Sequence, residues 1–211
     1  MFGILFVCTG NLCRSPFAEV LTRHLLIERL GAANASRFSV ISAGTHAAVG
    51  AGMHPLTRAE LTPWGLDGAA AAAVVARQLD AGTVRAADLV LTADRGHRSL
   101  VVDLVPTALP NAFCLREFAR LLGGIDPRVL PPDPIARAVA TVAEARQLRG
   151  TLSYACPEDD IVPDPIGQPP SAHRLAAGMI APAARAFVEL LAAEPLLSPA
   201  QSRPGRRAPV R

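Results

Sequence analysis

The first apolar block of the chain, Phe2-Gly3-Ile4-Leu5-Phe6-Val7, contains no polar position. A continuous run of that length reads as a strand buried on both faces. The period then changes. Phe17, Val20, Leu21 and Leu25 recur at helical spacing and predict a helix over 15–30 with one apolar face. Phe38-Ser39-Val40-Ile41-Ser42 predicts a second strand. Residues 55–65 read as a helix ending near Gly65, and the alanine run 69–73 continues into Val74-Val75 as helix or loop. Residues 88–92 predict the third strand, with a helix from about Asp94 to Leu104 behind it. Asn111-Ala112-Phe113-Cys114-Leu115 predicts the fourth strand, followed by a helix through Leu122. A helical pattern from Ile135 to Leu148 is bounded by Pro131-Pro132 and Gly150. The last helix covers about 171–194, with Ser171 as its expected N-cap. Strands alternating with helices predict an α/β fold, a parallel sheet with helices on both faces in three layers. Ligands of such sheets bind beyond the carboxyl ends of the strands, where strand order reverses. The end of the first strand, at Val7 and Cys8, is therefore the first place to look for chemistry.

What stands there is Val7-Cys8-Thr9-Gly10-Asn11-Leu12-Cys13-Arg14-Ser15-Pro16. A cysteine and an arginine enclose five residues at a strand-to-helix turn. Successive backbone N–H groups of such a turn curl into an anion-binding nest. The following helix points its positive end at the same spot. Arg14 adds a charge that cannot titrate away and can grip two oxygens of a phosphate. Gly10 and Asn11 tolerate the left-handed backbone of a tight loop, and Pro16 suits a helix start. The reading is a phosphate-binding loop, Thr9, Gly10, Asn11, Leu12, Cys13, Arg14 and Ser15, with a nucleophile, Cys8, at its bottom. Ser15 can donate its hydroxyl to the sulfur and ease its departure as a thiolate. A metal centre would want further Cys or His at tight spacing. Cys114 and Cys156 are isolated in sequence, and no histidine is close to the loop.

At 211 residues and 50% hydrophobic, the chain suffices for one α/β domain, expected at 1–197. No stretch reaches the ~20 uninterrupted apolar residues of a membrane span, and the N-terminus lacks a leader pattern. A working Cys8 must stay reduced, which fits the cytoplasm. The net charge of +3 misleads, because Arg203, Arg206, Arg207 and Arg211 all lie in the acid-free, Pro-rich stretch 198–211. Without them 17 basic residues face 18 acidic ones, so the body gives no reason to expect nucleic acid. The tail reads as a disordered basic end. All basic residues are arginine and none is lysine, which with the Ala, Gly and Pro content suggests a GC-rich, bacterial coding sequence.

The loop resembles the signature of the low-molecular-weight protein tyrosine phosphatase family, C-x-G-N-x-C-R-S-P. Every fixed position is present as Cys8, Gly10, Asn11, Cys13, Arg14, Ser15 and Pro16. The family's Ser-Ala-Gly-Thr segment is matched by Ser42-Ala43-Gly44-Thr45, and a later segment by Ala76-Arg77-Gln78-Leu79. Its Asp-Pro loop is matched by Asp164-Pro165. The resemblance covers most of residues 1–195. It implies a four-stranded parallel sheet of order 2-1-3-4 and metal-free, cofactor-free hydrolysis of a phosphomonoester. The reaction would pass through phosphocysteine on Cys8, with Arg14 binding phosphate and Asp164 as general acid and base. Asn11, Ser15 and Ser42 would support the loop. The implied partner is a phosphorylated protein or small phosphomonoester, with phosphotyrosine the default. Asp126-Pro127 and Asp133-Pro134 are rival Asp-Pro pairs, but Asp164 precedes the last long helix, as the family requires. Cys13 reads either as a small apolar filler or as a redox partner of Cys8.

The chain also departs from the family. Segment 123–162 looks long and reads as an inserted helix and loop, either a lid beside the pocket or a passive elaboration. The Asp-Pro loop continues Ile166-Gly167-Gln168-Pro169 and residues 46–52 hold no aromatic, so no aromatic wall for a tyrosyl ring is evident. Phosphoarginine phosphatases of the superfamily carry Thr where this chain has Leu12. Thioredoxin-coupled arsenate reductases use a close downstream cysteine pair, a spacing that Cys114 and Cys156 lack. A non-catalytic phosphate-binding module would need the nest and the arginine, but neither Cys8 nor Asp164.

Overall fold

The computed structural model describes residues 1–150 and 156–193; the 198–211 tail lies outside them. Its strands are β1 (Phe2–Cys8), β2 (Phe38–Gly44), β3 (Leu89–Thr92) and β4 (Ala112–Cys114). They pair in parallel in the order β2-β1-β3-β4, as expected. The pleat of β1 sorts its side chains into two cores. Phe2, Ile4, Phe6 and Cys8 join the larger one, while Leu5 and Val7 join the smaller one on the other face. Cys8 thus ends the row that faces the larger helical layer.

The helices are α1 (Arg14–Ala35), α2 (Pro55–Ala59), α3 (Ala69–Ala72), α4 (Ala81–Arg85), α5 (Arg95–Leu104), α6 (Leu115–Leu122), α7 (Pro134–Leu148) and α8 (Pro170–Ala192). α1 runs past the expected end through Gly31, whose φ of 75° kinks it. The helix expected over 55–65 is broken. α2 stops early and a 3-10 turn, Thr62–Trp64, follows before left-handed Gly65. Pro63 is the cause, since it offers no N–H and pushes the residue before it away from helix. α4 was not foreseen; Asp80 caps it by accepting from the Thr83 N–H at 2.8 Å. β4 is three residues rather than five, because Asn111 belongs to a 3-10 segment, Pro106–Asn111. Ser171 does not cap α8. Pro169 holds that position, and Pro170 opens the helix without needing a partner for an N–H.

By length and composition α8 could cross a membrane. Here Ala176, Ile180, Ala184, Phe187 and Leu191 are buried, and the helix packs against α1 and α6. α7 lies at the end of the sheet away from Cys8. Its cap, Asp133, pairs with Arg37 just before β2, and its Arg146 donates to the Pro110 carbonyl just before β4. Both contacts sit at the amino ends of strands. The fully buried Arg137 donates to the carbonyls of Pro127, Leu130, Pro131 and Leu190 and ties α7 to the end of α8. The helix therefore braces the floor of the sheet, and the lid reading fails for it. The rival Asp-Pro pairs are accounted for there. Asp133 caps α7, and Asp126 caps the Pro127–Val129 turn while paired with Arg128.

Candidate active site

Cys8 is the last residue of β1, and Arg14 is the first of α1. Between them the chain makes a tight loop in which Asn11 takes a left-handed conformation, φ 54°. Asparagine is among the few residues that adopt it at little cost. The loop's carbonyls turn outward. Those of Cys8, Thr9, Gly10 and Leu12 accept from the N–H groups of Thr45, His46, Ala48 and His54 at 2.9–3.1 Å. The N–H groups of Gly10 to Arg14 donate to no acceptor among the described residues. The loop therefore presents donors inward, around the sulfur. Gly44 is obligatory beside it, since a Cβ there would collide with the Thr9 carbonyl oxygen.

Hydrogen bonds fix the polarity around Cys8. The Arg77 N–H donates to Asn11 Oδ1 at 2.9 Å, which orients the amide. Asn11 Nδ2 then donates to both Ser15 Oγ and Ser42 Oγ at 2.8 Å. Ser42 in turn donates to Glu19 at 2.6 Å. Glu19 is fully buried and its carboxyl is pushed up by burial, against the pull of Ser42 and Arg23, whose guanidinium lies 2.8 Å from it. Ser15 Oγ accepts from Asn11, and its single proton has two acceptors in reach, Cys8 Sγ at 3.0 Å and the Ala43 carbonyl at 3.4 Å. Asn11, Ser15 and Ser42 thus form one network. Glu19, its anchor, was missed because an acid in a helix gives no sign of being buried.

Arg14 is 5% exposed and lies over the loop. It donates to the Val162 carbonyl at 3.1 Å, to Thr9 Oγ1 at 3.1 Å and to Asp164 Oδ2 at 2.6 Å. Its Nε is buried without a partner among the described residues. Asp164, from the other end of the chain, is thereby brought into direct contact with the loop. Thr9 is held from its far side by His97 Nε2 at 2.9 Å, and His97 Nδ1 lies 2.7 Å from Asp94. Burial works to raise the Asp94 carboxyl, but hydrogen bonds from His97 outweigh it and hold the group below its usual range. Neither residue was marked in the sequence, where Asp94 reads only as a helix start.

Asp160 fixes the approach of Asp164. It is 2% exposed and ion-paired with Arg95 at 2.6 Å and with Arg120. Two residues on, Val162 N–H donates to the Ala93 carbonyl. Burial would raise the Asp160 carboxyl, yet the two guanidiniums win and lower it. A lowered folded value means its stabilisation is complete above the unfolded carboxylate range, about pH 3.9, and fades as pH falls through the folded value. Asp160→Ala should therefore cost about 0.5–1.5 kcal/mol near neutral pH, by removing the bonds to two guanidiniums that are themselves open to water. Thermal melts of both proteins from neutral to acid pH check this. The gap should close only in acid, and a gap constant at every pH would refute the ion-pair role.

Cys13 caps α1 behind the loop, and burial pushes its thiol up to about 11. Cys114 is sealed at the end of β4, also pushed up to about 11 by burial, and Cys156 is exposed. Leu12 is half-buried, and Ile166 is exposed two residues beyond Asp164.

The chain matches the family model described as low molecular weight phosphotyrosine protein phosphatase over residues 3–149. It is 30% identical to the protein-arginine-phosphatase of Geobacillus stearothermophilus over 151 residues, 72% of this chain and 90% of that one. It is 36% identical to a low molecular weight protein-tyrosine-phosphatase of Streptomyces coelicolor over 135 residues, 63% of this chain and 74% of that one. Among solved structures it resembles the YwlE arginine phosphatase of Geobacillus stearothermophilus, with a TM-score of 0.59 and 26% identity over 91% of both chains. The family match ends before Asp164, so the place of that residue rests on its contact with Arg14.

Proposed function

Because the chain belongs to the low molecular weight phosphotyrosine protein phosphatase family, and is a cysteine-dependent phosphatase, we propose that Cys8, Arg14 and Asp164 carry its chemistry. Cys8 Sγ attacks phosphorus in line, and the bond to the leaving oxygen breaks as Asp164 protonates that oxygen. The equatorial oxygens take the inward N–H groups and Arg14, which replace a metal ion in neutralising charge. In the second step Asp164 takes a proton from water, the water oxygen bonds to phosphorus, and the S–P bond breaks. The Ser15 hydroxyl, 3.0 Å from the sulfur, receives the departing thiolate. The observation that carries this reading is the contact of Asp164 with Arg14 over a loop whose free donors surround Cys8.

The substrate we propose is phosphotyrosine on protein, and the place of work is the cytoplasm, where Cys8 stays reduced. Phosphoarginine is the second reading, favoured by the Geobacillus relative. Leu12 speaks against it, since a hydroxyl at that position would orient water toward a guanidinium-bound phosphoryl group and leucine has none. Rates on matched phosphotyrosine and phosphoarginine peptides decide. Phosphotyrosine should turn over faster, though modestly, because the exposed Ile166 offers no ring to stack on. Leu12→Thr should raise the phosphoarginine rate. A wild-type preference for phosphoarginine would move the assignment to the second reading.

A further inference from the structure

Behind the phosphate loop three residues far apart in sequence converge. Cys13 Sγ and one ring nitrogen each of His54 and His173 all lie within 4.8 Å of one another. Cys13 ends the loop, His54 caps α2, and His173 sits in the first turn of α8, a few residues after Asp164-Pro165. The second nitrogen of each ring is engaged. His54 Nδ1 accepts from the Leu56 N–H at 3.3 Å, and His173 Nδ1 lies 2.7 Å from Thr57 Oγ1. That leaves both Nε2 atoms for another partner. His173 is 1% exposed, and its Nε2 has no hydrogen-bond partner among the described residues. A buried ring nitrogen left so is costly unless something occupies it.

We infer that Cys13, His54 and His173 form a site for a soft divalent cation, Zn²⁺ in the first instance. The donor set is right for that chemistry: one thiolate and two imidazoles, each imidazole fixed through its other nitrogen. Metal–ligand lengths of about 2.0–2.3 Å put donor atoms of a tetrahedral site roughly 3.3–3.8 Å apart, so the trio must contract. The rings now stack at 4.7 Å with 17° between their planes. His54, the less buried of the two, must swing so that both lone pairs meet at one point. Binding removes the Cys13 thiol proton to solvent as the S–metal bond forms. A bound ion would tie the loop at Cys13 to the start of α8 and withhold the Cys13 thiol from any reaction with Cys8.

The site is separable from catalysis, so its test uses Cys8→Ser protein, in which a metal on the nucleophile cannot arise. The full chain is titrated with Co²⁺ and followed by the sulfur-to-cobalt charge-transfer band, then with Zn²⁺ against a chromophoric chelator. One equivalent should bind with a charge-transfer band. Cys8/Cys13 double replacement by Ser should remove the band. His54→Asn, in which the amide can still cap α2, should weaken Zn²⁺ binding at least about tenfold while circular dichroism stays unchanged. Absence of the band, its survival without Cys13, or unchanged affinity in His54→Asn would each overturn the proposal. Loss of phosphatase activity in the wild type has no bearing on these outcomes.

Discussion

Cys8→Ser is expected to reduce turnover of every phosphomonoester by about 10⁴-fold or more, the scale on which loss of a covalent nucleophile registers. Serine preserves shape and the contact with Ser15, but its hydroxyl is a far weaker acid than the thiol and a far poorer nucleophile when protonated. The loop's inward N–H groups and Arg14 remain, so orthophosphate should still bind. Arg14→Ala should lose both, since it removes the full positive charge over the sulfur. Acid-quenched wild-type enzyme should carry a phosphoryl group on the peptide containing Cys8. Calorimetry with phosphate and stopped-flow assays with nitrophenyl phosphate read these outcomes directly. Turnover retained by Cys8→Ser, or activity that a chelator abolishes and Mg²⁺ restores, would overturn the mechanism.

Asp164→Asn is expected to cost about 10²–10⁴-fold in rate on phosphotyrosine, the usual range for a lost general acid. Nitrophenolate leaves without much help, so the loss on nitrophenyl phosphate should be clearly smaller. Phosphate affinity should move the opposite way. In the free protein the Asp164 carboxylate sits 2.6 Å from the guanidinium that must bind substrate, and an uncharged amide holds it less firmly. Lower kcat together with tighter phosphate binding separates this role from a general loss of structure. Equal rate losses on both substrates would mean that Asp164 is not the proton donor.

The parts of this site that could be read in advance are those written contiguously. β1 is one apolar run, and the loop residues from Cys8 to Ser15 follow without a break, so local chemistry and local geometry coincide. The order of strands came with the family resemblance, while the register that sets Cys8 beside Gly44 was not foreseen. The supporting shell was illegible because it is assembled across the chain. Asp160 reads as one acid among several, yet it is sealed by arginines 65 and 40 residues away. His97 touches Thr9 from 88 residues off. The absence of histidine near the loop held only along the sequence; His173 reaches Cys13 because the start of α8 lies alongside α2. The misread helix ends have smaller causes. Proline at 169 and 170 displaced the polar cap expected at Ser171, and Pro63 divided a helix that periodicity had joined. Whether the helix within 123–162 was a lid or a passive elaboration stayed open, because sequence gives no sign of which end of a sheet a helix covers.

The ion pair between Arg14 and Asp164 also bears on how the cycle ends. Once the second step is over, orthophosphate lies in a loop full of donors, and such a product could linger. Asp164 is tethered within reach and competes for the same guanidinium at a high effective concentration. As the product loosens, the carboxylate takes its place, and the pocket returns to rest already neutralised. The resting enzyme therefore carries its own displacing anion, and orthophosphate inhibits it less than the loop's contacts alone would dictate.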